Sequence, residues 1–353
     1  MLFHLGSLWR LNELGFFPQL KRVSSVSGGS ITAAYLGLCW NALQWQGSSA
    51  GNFETAVVEP LRSLAAKTID EGAIVGGVLV PGVSVSEKVE NAYRKHLFGE
   101  TTLQDFPEEG ERTPRFILNA TNVQTGALWR FSRPYMADWR VGKVQRPKTT
   151  LAFAVAASSA FPPLLSPARL KLDRNLVEPT EGADLHKEPY TTRLVLTDGG
   201  VYDNLGLETV WKCLKTVLVS DGGGQMEPEE KPESDWLQHG LRVNALIDNQ
   251  VRSLRKRQVV GSLKQGSAQG GRDGAYWRIR GRIVDYPAPG KLPCPYDRTV
   301  ELAKTPTRLA ALSAQHQERL INWGYALCDA AIRSWVKKDA PAPPGFPYPG
   351  AAV

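Results

Sequence analysis

The stretch "VSSVSGGS", residues 23–30, is a short polar run between two apolar segments, with Ser27 followed by two glycines. Residues 25–29 come close to the pattern G-x-S-x-G, with Ser25 at the first glycine position. Where a strand turns sharply into a helix, such a turn holds a serine hydroxyl clear of the backbone. The residues two before and two after the serine must be small if the helix is to approach the strand. Ser25 meets that condition and Gly29 fits it well. A helix N-terminus behind Ser27 would bring positive dipole and free amides to the place where an oxyanion forms, with Gly28 N–H as the first donor. The competing reading is a Ser/Gly-rich turn without chemistry, because such turns are common. The flanks lend the motif its context: "KRVSSV" (21–26) is a short β-rich run, and an apolar helix is expected from about Ile31.

Outward from this turn, "MLFHLGSLWRLNELGFF" (1–17) is predicted to be a helix. Leu5, Leu8 and Leu11 share a face, Trp9 lies beside them, and Gly15 stands where a C-terminal cap belongs. No Ser, Thr, Asp or Asn precedes it as a cap. "FETAVVEPLRSLAAKT" and "VSEKVENAYRKHLFG" are further helices, with the apolar, Gly-rich "GAIVGGVLVPGVSV" between them. "RFILNATNV" (115–123) and "ALWRFSR" (127–133) are strands joined by the turn "QTG". "TLAFAVAASSAFPPLL" is an apolar helix stopped by Pro162 and Pro163. "TRLVLTDGG" and "KTVLVSDGGG" are strands ending in Asp-Gly-Gly, with a helix around "NLGLETVWKCL" between them, an order that predicts a parallel βαβ unit. Helices are also expected over 241–264 and 306–337. The Pro/Gly-rich tail has no core pattern and is expected to be extended or disordered.

A chain of 353 residues with 42% hydrophobic content can bury a core of domain size. The net charge of +7 favours anionic partners without choosing among nucleic acid, an anionic membrane surface and acidic substrates. Cys39, Cys213, Cys294 and Cys328 are far apart with no C-x-x-C spacing, which argues against a disulfide scaffold or structural zinc and for a reducing compartment. The histidines His4, His96, His186, His239 and His316 show no i, i+4 pair, so neither a metal nor a cofactor is expected. No signal-peptide pattern is visible, and no stretch has the roughly 18 apolar residues of a spanning helix. A cytoplasmic protein, meeting a membrane only from its surface, is the expectation.

A serine nucleophile needs a base. No histidine stands in a recognisable triad context. Open α/β sheets place their sites at the carboxyl ends of strands, where both Asp198 and Asp221 qualify. Either could equally be an Asp that ends a strand and bonds its own turn.

The chain resembles the patatin-like phospholipases, lipid acyl hydrolases that use a Ser-Asp dyad. The resemblance rests on "LFHLGSLWRLNELG", "SSVSGGS", "FILNATNVQTG", "AVAASSAFPP" and "LTDGGVYDNLG", in the family's order over roughly the first 220 residues. "DNQVRSLRKRQ" looks like the long bacterial branch. The resemblance implies a three-layer α/β/α fold with a mostly parallel central sheet, a domain over 1–337 and a tail over 338–353, with 46–115 a candidate cap. It makes Ser27 the nucleophile and Asp198, in "DGG" before "VYDN", the base, and leaves Asp221 structural. The partner it implies is a lipid or acyl-ester substrate, with peripheral contact to an anionic membrane.

Two rivals stand beside it. One is a non-catalytic, lipid-binding relative. The family's glycine-rich loop, which carries the other oxyanion donors, lies just before the helix that opens this sequence. The expectation is therefore that Met1 is not the start of the functional protein, or that the chain is a truncated, nearly inactive form. The other rival is a nucleic-acid or anionic-lipid binder built on Arg252, Arg255, Lys256 and Arg257. A solvated helix face accounts for that cluster more simply, and no nucleic-acid motif accompanies it.

Overall fold

A computed structural model describes residues 1–69, 85–224, 226–306 and 310–353. The "GAIVGGVLVPGVSV" segment falls almost wholly outside them.

Helix α1 (Leu2–Glu13) carries no side-chain cap at its start. It ends as its sequence indicates. Gly15 adopts φ +74°, and the Gly15 and Phe16 amides donate to the carbonyls of Asn12 and Leu11. Strand β1 (Arg22–Ser25) and helix α2 (Gly28–Cys39) follow, on either side of Ser27. The hairpin β2 (Trp45–Gln46) and β3 (Ser49–Ala50) leads to α3 (Glu59–Ala65), and α4 (Val85–Tyr93) comes next. α1 lies along the last helix, α10 (Ala314–Trp335), at backbone contact. A Cβ on Gly6 would stand 1.9 Å from the Ile321 carbonyl oxygen, and one on Gly324 would stand 1.8 Å from that of Phe3. Buried charges also bind the pair: Arg10 Nε and Arg333 Nε each donate to the Asp329 carboxylate at 2.9 Å.

The protein is α/β, but its main sheet is chiefly antiparallel, which corrects the expected mostly parallel sheet. Strands β4 (Arg115–Asn122), β5 (Ala127–Phe131), β6 (Tyr135–Asp138) and β7 (Gly142–Gln145) are successive antiparallel neighbours, followed at the edge by β9 (Val177–Glu178). The connections between these four successive strands are only a few residues long, which forces antiparallel pairing. β8 (Ala168–Lys171) pairs antiparallel with β10 (Arg193–Asp198), and β10 in turn pairs antiparallel with β4. The parallel pair in this sheet is β1 with β4.

The expected parallel βαβ unit is not formed. β11 (Thr216–Asp221) pairs with β12 (Asp273–Arg278), parallel, in a separate two-stranded sheet. The reason lies in the connection after β10, which contains only the four-residue helices α6 (Gly200–Asp203) and α7 (Glu208–Trp211). That connection runs beside β1. Ser24 Oγ donates to the Gly206 carbonyl at 2.5 Å, and Arg22 Nη1 donates to that of Thr209 at 2.8 Å.

The apolar helix α5 (Leu151–Ser158) is buried along its whole length and ends before Pro162 is reached. Helix α8 (Trp236–Gln265) is 30 residues long with Val259 its one buried residue, and α9 (Tyr296–Ala303) precedes α10. α10 begins later than expected because Ser313 caps it, accepting from the His316 amide. The tail lacks helix and strand, as its composition indicates, yet it is packed rather than free. Asn322 Nδ2 donates to the Tyr348 carbonyl at 2.8 Å, the Arg62 guanidinium lies over the Tyr348 ring, and Val353 is buried.

Candidate active site

Ser27 is the second of the two residues between β1 and α2, at φ +51° and ψ −133°. A side chain in that region stores about 1–3 kcal/mol of backbone strain and persists only where its surroundings impose it. The turn is closed by the Gly29 amide donating to Val26 O at 3.0 Å and by Ser30 N–H donating to Ser27 O at 2.8 Å. Gly28 takes the first helical position, where an amide has no carbonyl in a preceding turn. α1 backs this turn: a Cβ on Gly28 would stand 3.2 Å from the Met1 nitrogen, and one on Gly29 would stand 3.9 Å from the His4 ring.

The pairing of β4 explains how Asp198 reaches this turn. Along one edge, β4 pairs first with β1, Ser25 opposite Leu118, and then with β10, Asp198 opposite Ala120. β1 runs parallel to β4 and β10 runs against it, so the carboxyl ends of the two strands point at each other across Asn119. Four hydrogen bonds hold that junction. Asn119 Nδ2 donates to the Ser25 carbonyl at 2.9 Å, and Ser158 Oγ donates to the Asn119 carbonyl at 2.6 Å. The Ser158 carbonyl, at the end of α5, accepts from both Ser27 N–H (3.0 Å) and Gly199 N–H (3.2 Å). One carbonyl thus fixes the residue that carries the hydroxyl and the residue after the carboxylate. Gly199 must be glycine, because its Cβ would fall 2.2 Å from the Asn119 carbonyl oxygen.

Asp198 is 1% exposed. Its Oδ1 accepts from the Gly200 amide at 2.7 Å, while Oδ2 is buried without a hydrogen-bond partner. Burial pushes its pKa up from 3.8 to about 6, against the Gly200 amide and the Ser27 hydroxyl, both of which favour the charged form. The hydroxyl therefore faces the carboxylate, in a looser geometry than a formed hydrogen bond, as is common in unliganded sites. The buried Tyr93 hydroxyl is a third group here. Burial raises its pKa to about 12, the neighbouring Ser159 side chain opposes that rise and the Asp198 charge adds to it, while the hydroxyl itself has no hydrogen-bond partner.

Asp221 has a different setting. It accepts from Tyr276 OH at 2.6 Å and from the Gly223 amide at 2.9 Å, within the smaller sheet. His4 packs on the elbow but is engaged elsewhere, with Nδ1 2.9 Å from Ser220 Oγ, and burial lowers its pKa to about 3. In the basic cluster, Arg255 is paired with Glu208, and Arg252 with Asp248. Among the described residues no group of three or more His, Cys, Asp or Glu could hold a metal ion. Also among them, no helix is long and apolar enough to cross a membrane.

Reading the sequence singled out Ser27, Gly28 and Asp198, and the structure brings these three together. It missed Asn119, Ser158 and Tyr93. Two of them left a signal: an Asn inside the otherwise apolar run "FILNAT", and a serine pair closing an all-apolar helix. Tyr93 left none, because an aromatic on an amphipathic helix reads as core.

Residues 1–211 match the family model of the patatin-like phospholipases. That span includes Ser27, Asn119, Ser158 and Asp198 and ends before Asp221 and α8. No match was found among curated proteins.

Proposed function

The chain belongs to the patatin-like phospholipase family, whose general chemistry is the hydrolysis of lipid acyl esters, and from this premise we propose that it is a serine acyl hydrolase with Ser27 as nucleophile and Asp198 as base. The observation that carries the reading is the meeting of β1 and β10 end to end on β4, with a strained serine facing a buried carboxylate that has a free oxygen.

In this reaction Ser27 Oγ attacks the ester carbonyl carbon while its proton passes to Asp198 Oδ2. The carbonyl oxygen becomes an oxyanion at the N-terminus of α2, where Gly28 N–H donates to it. Collapse of the tetrahedral intermediate expels the alcohol, which takes the proton from Asp198, and leaves an acyl-serine. Water then attacks the acyl carbon, giving its proton to the same carboxylate. The second collapse returns that proton to Ser27 Oγ and releases the fatty acid. An ordinary carboxylate is a weak base for a hydroxyl. A pKa raised to about 6 by burial makes Asp198 a stronger one while keeping it ionised at neutral pH.

We read residues 46–115 as contributing to a cap, because the buried Tyr93 hydroxyl from that region is close enough for the Asp198 charge to act on it. Turnover of a p-nitrophenyl acyl ester tests the assignment. Ser27→Ala and Asp198→Asn should each abolish it, and Asp221→Asn should leave it within a few-fold. Equal turnover in wild type and Ser27→Ala would remove Ser27 from the mechanism. Loss in Asp221→Asn but not in Asp198→Asn would put the base at the other strand end. A wild-type chain that binds lipid without hydrolysing any ester would favour the non-catalytic relative.

A further inference from the structure

Among the described residues, Asp198 Oδ2 and the Tyr93 hydroxyl are both buried without a hydrogen-bond partner, and both belong to the surroundings of the dyad. Asp198 is 1% exposed and Tyr93 is 0% exposed. A buried polar atom left unpaired costs stability, and native sites that tolerate one commonly put it to use. The Asp198 oxygen has its use as the acceptor of the Ser27 proton. The Tyr93 hydroxyl has no part in the reaction as derived so far.

Its placement is built into the fold. Tyr93 is the last residue of α4, which packs along α5. The chain beyond α4 is tied to the start of α5, where Leu151 N–H donates to the Thr101 carbonyl and Leu103 N–H to that of Thr149, both at 2.9 Å. The hydroxyl lies beside the Ser159 side chain, close enough to Asp198 for the carboxylate charge to act on it. Ser159 itself stands between the two residues whose carbonyls hold the dyad. Ser158 O accepts from Ser27 N–H, and Ala160 O accepts from Asp198 N–H at 3.0 Å.

The chemistry of the two groups is complementary. Burial keeps the phenol protonated at neutral pH, so Tyr93 can donate but cannot act as a base. Ser159 does not satisfy it by donation, because Ser159 Oγ gives its proton to the Val155 carbonyl at 2.7 Å. No direct bond joins Tyr93 to Asp198 either. Polar groups set too far apart for a direct bond are commonly bridged by a water. A water between these two accepts from Tyr93 OH and donates one proton to Asp198 Oδ2. Its second lone pair stays free for attack. Deacylation needs that arrangement: the water oxygen bonds to the acyl carbon on Ser27, the carbonyl electron pair moves onto the oxyanion, and the proton passes to Asp198. Tyr93 keeps its own proton throughout.

We propose that Tyr93 holds the hydrolytic water, its hydroxyl donating to the water oxygen while Asp198 Oδ2 takes the water's proton, so that Tyr93 serves deacylation and not acylation. The inference rests on the acyl-hydrolase reading and adds a residue to the second half of that reaction. Acylation and deacylation can be measured separately, so the two readings can fail separately.

Tyr93→Phe removes an oxygen that has no protein partner and keeps the ring that packs on α5. Hydrolysis of p-nitrophenyl butyrate by the full chain is followed by stopped flow. Its good leaving group makes acylation fast, so release of the butyryl group limits turnover. In Tyr93→Phe, kcat should fall about 10- to 100-fold, because the water is no longer oriented. KM should fall in parallel, and kcat/KM, which reports acylation here, should stay within about twofold of wild type. A burst of about one nitrophenolate per chain should precede the slow phase, with the butyryl ester mapped to Ser27 by peptide mass spectrometry. Fluorophosphonate labelling of Ser27 needs the serine and its base but no water, so its rate should match wild type. A tyrosine that only supported the fold would instead lower labelling and kcat/KM together. An unchanged kcat, or a fall in kcat/KM without a burst, overturns the assignment of Tyr93 and leaves the dyad standing. Wild type that neither labels at Ser27 nor forms a butyryl ester there overturns the dyad, and the role of Tyr93 with it.

Discussion

Asp198→Asn should make the protein more stable as well as inactive, and the gain should depend on pH. The wild-type carboxylate titrates near 3.8 in an unfolded chain, but burial holds its pKa at about 6 in the fold. Between these values the folded state keeps a proton that the unfolded state has lost. The contribution of Asp198 to stability is therefore full below about pH 4 and is lost as the pH rises through 6. At pH 8 the fold carries a charged, 1% exposed carboxylate at a cost of ~3 kcal/mol. Asn has nearly the same volume, can still accept from the Gly200 amide through its Oδ1, and does not titrate. The stability difference between variant and wild type should thus grow by ~3 kcal/mol from pH 4 to pH 8, a change of about 5 °C in Tm for a chain of this size. Urea denaturation of both proteins at the two pH values measures it, and all other titrating groups cancel in the difference. A difference that does not change with pH, or that shifts in favour of wild type at pH 8, would refute the claim that Asp198 is a destabilised, ionised base.

Three further outcomes follow from the same geometry. Ser27→Gly should raise stability by about 1 kcal/mol, since glycine adopts φ +51° without a Cβ penalty, and should remove ester turnover; thermal denaturation with the ester assay checks both. The kcat/KM for a neutral ester should fall about tenfold per pH unit below about 6, as Asp198 takes up its proton, and level off above; a profile flat to pH 4.5 would contradict it. Gly324→Ala should cost ~3 kcal/mol or more, because its methyl group would sit 1.8 Å from the Phe3 carbonyl oxygen and part α1 from α10; loss of the cooperative unfolding transition, or of soluble expression, is the readout.

The sequence showed the local chemistry of the site better than its frame. The elbow was legible because small residues, a β-rich run and an apolar helix occur at fixed offsets around Ser27. Both Asp-Gly-Gly strand ends were legible too, and they proved unequal: Asp198 meets Ser27, whereas Asp221 bonds Tyr276. What failed was pairing. Two apolar strands with helical residues between them gave the pattern of a βαβ unit, yet the intervening helices are four residues each and β11 turns to β12, more than 50 residues further on. Strand partners are long-range facts that a local period does not encode. The short strands β6 to β9 were invisible for a related reason: with two to four residues each, they have too few alternations to register as a period. The tail misled because its Pro and Gly content hides single anchors, such as Tyr348 and Val353, that pack it onto the helices.

Labelling with a fluorophosphonate tests the central claim most directly, because the reagent phosphonylates a serine only where the site activates it. The account predicts one adduct on the 353-residue chain, mapped by peptide mass spectrometry to Ser27, absent from Ser27→Ala and strongly slowed in Asp198→Asn. An adduct on another serine, or labelling of wild type no faster than of Asp198→Asn, would contradict it.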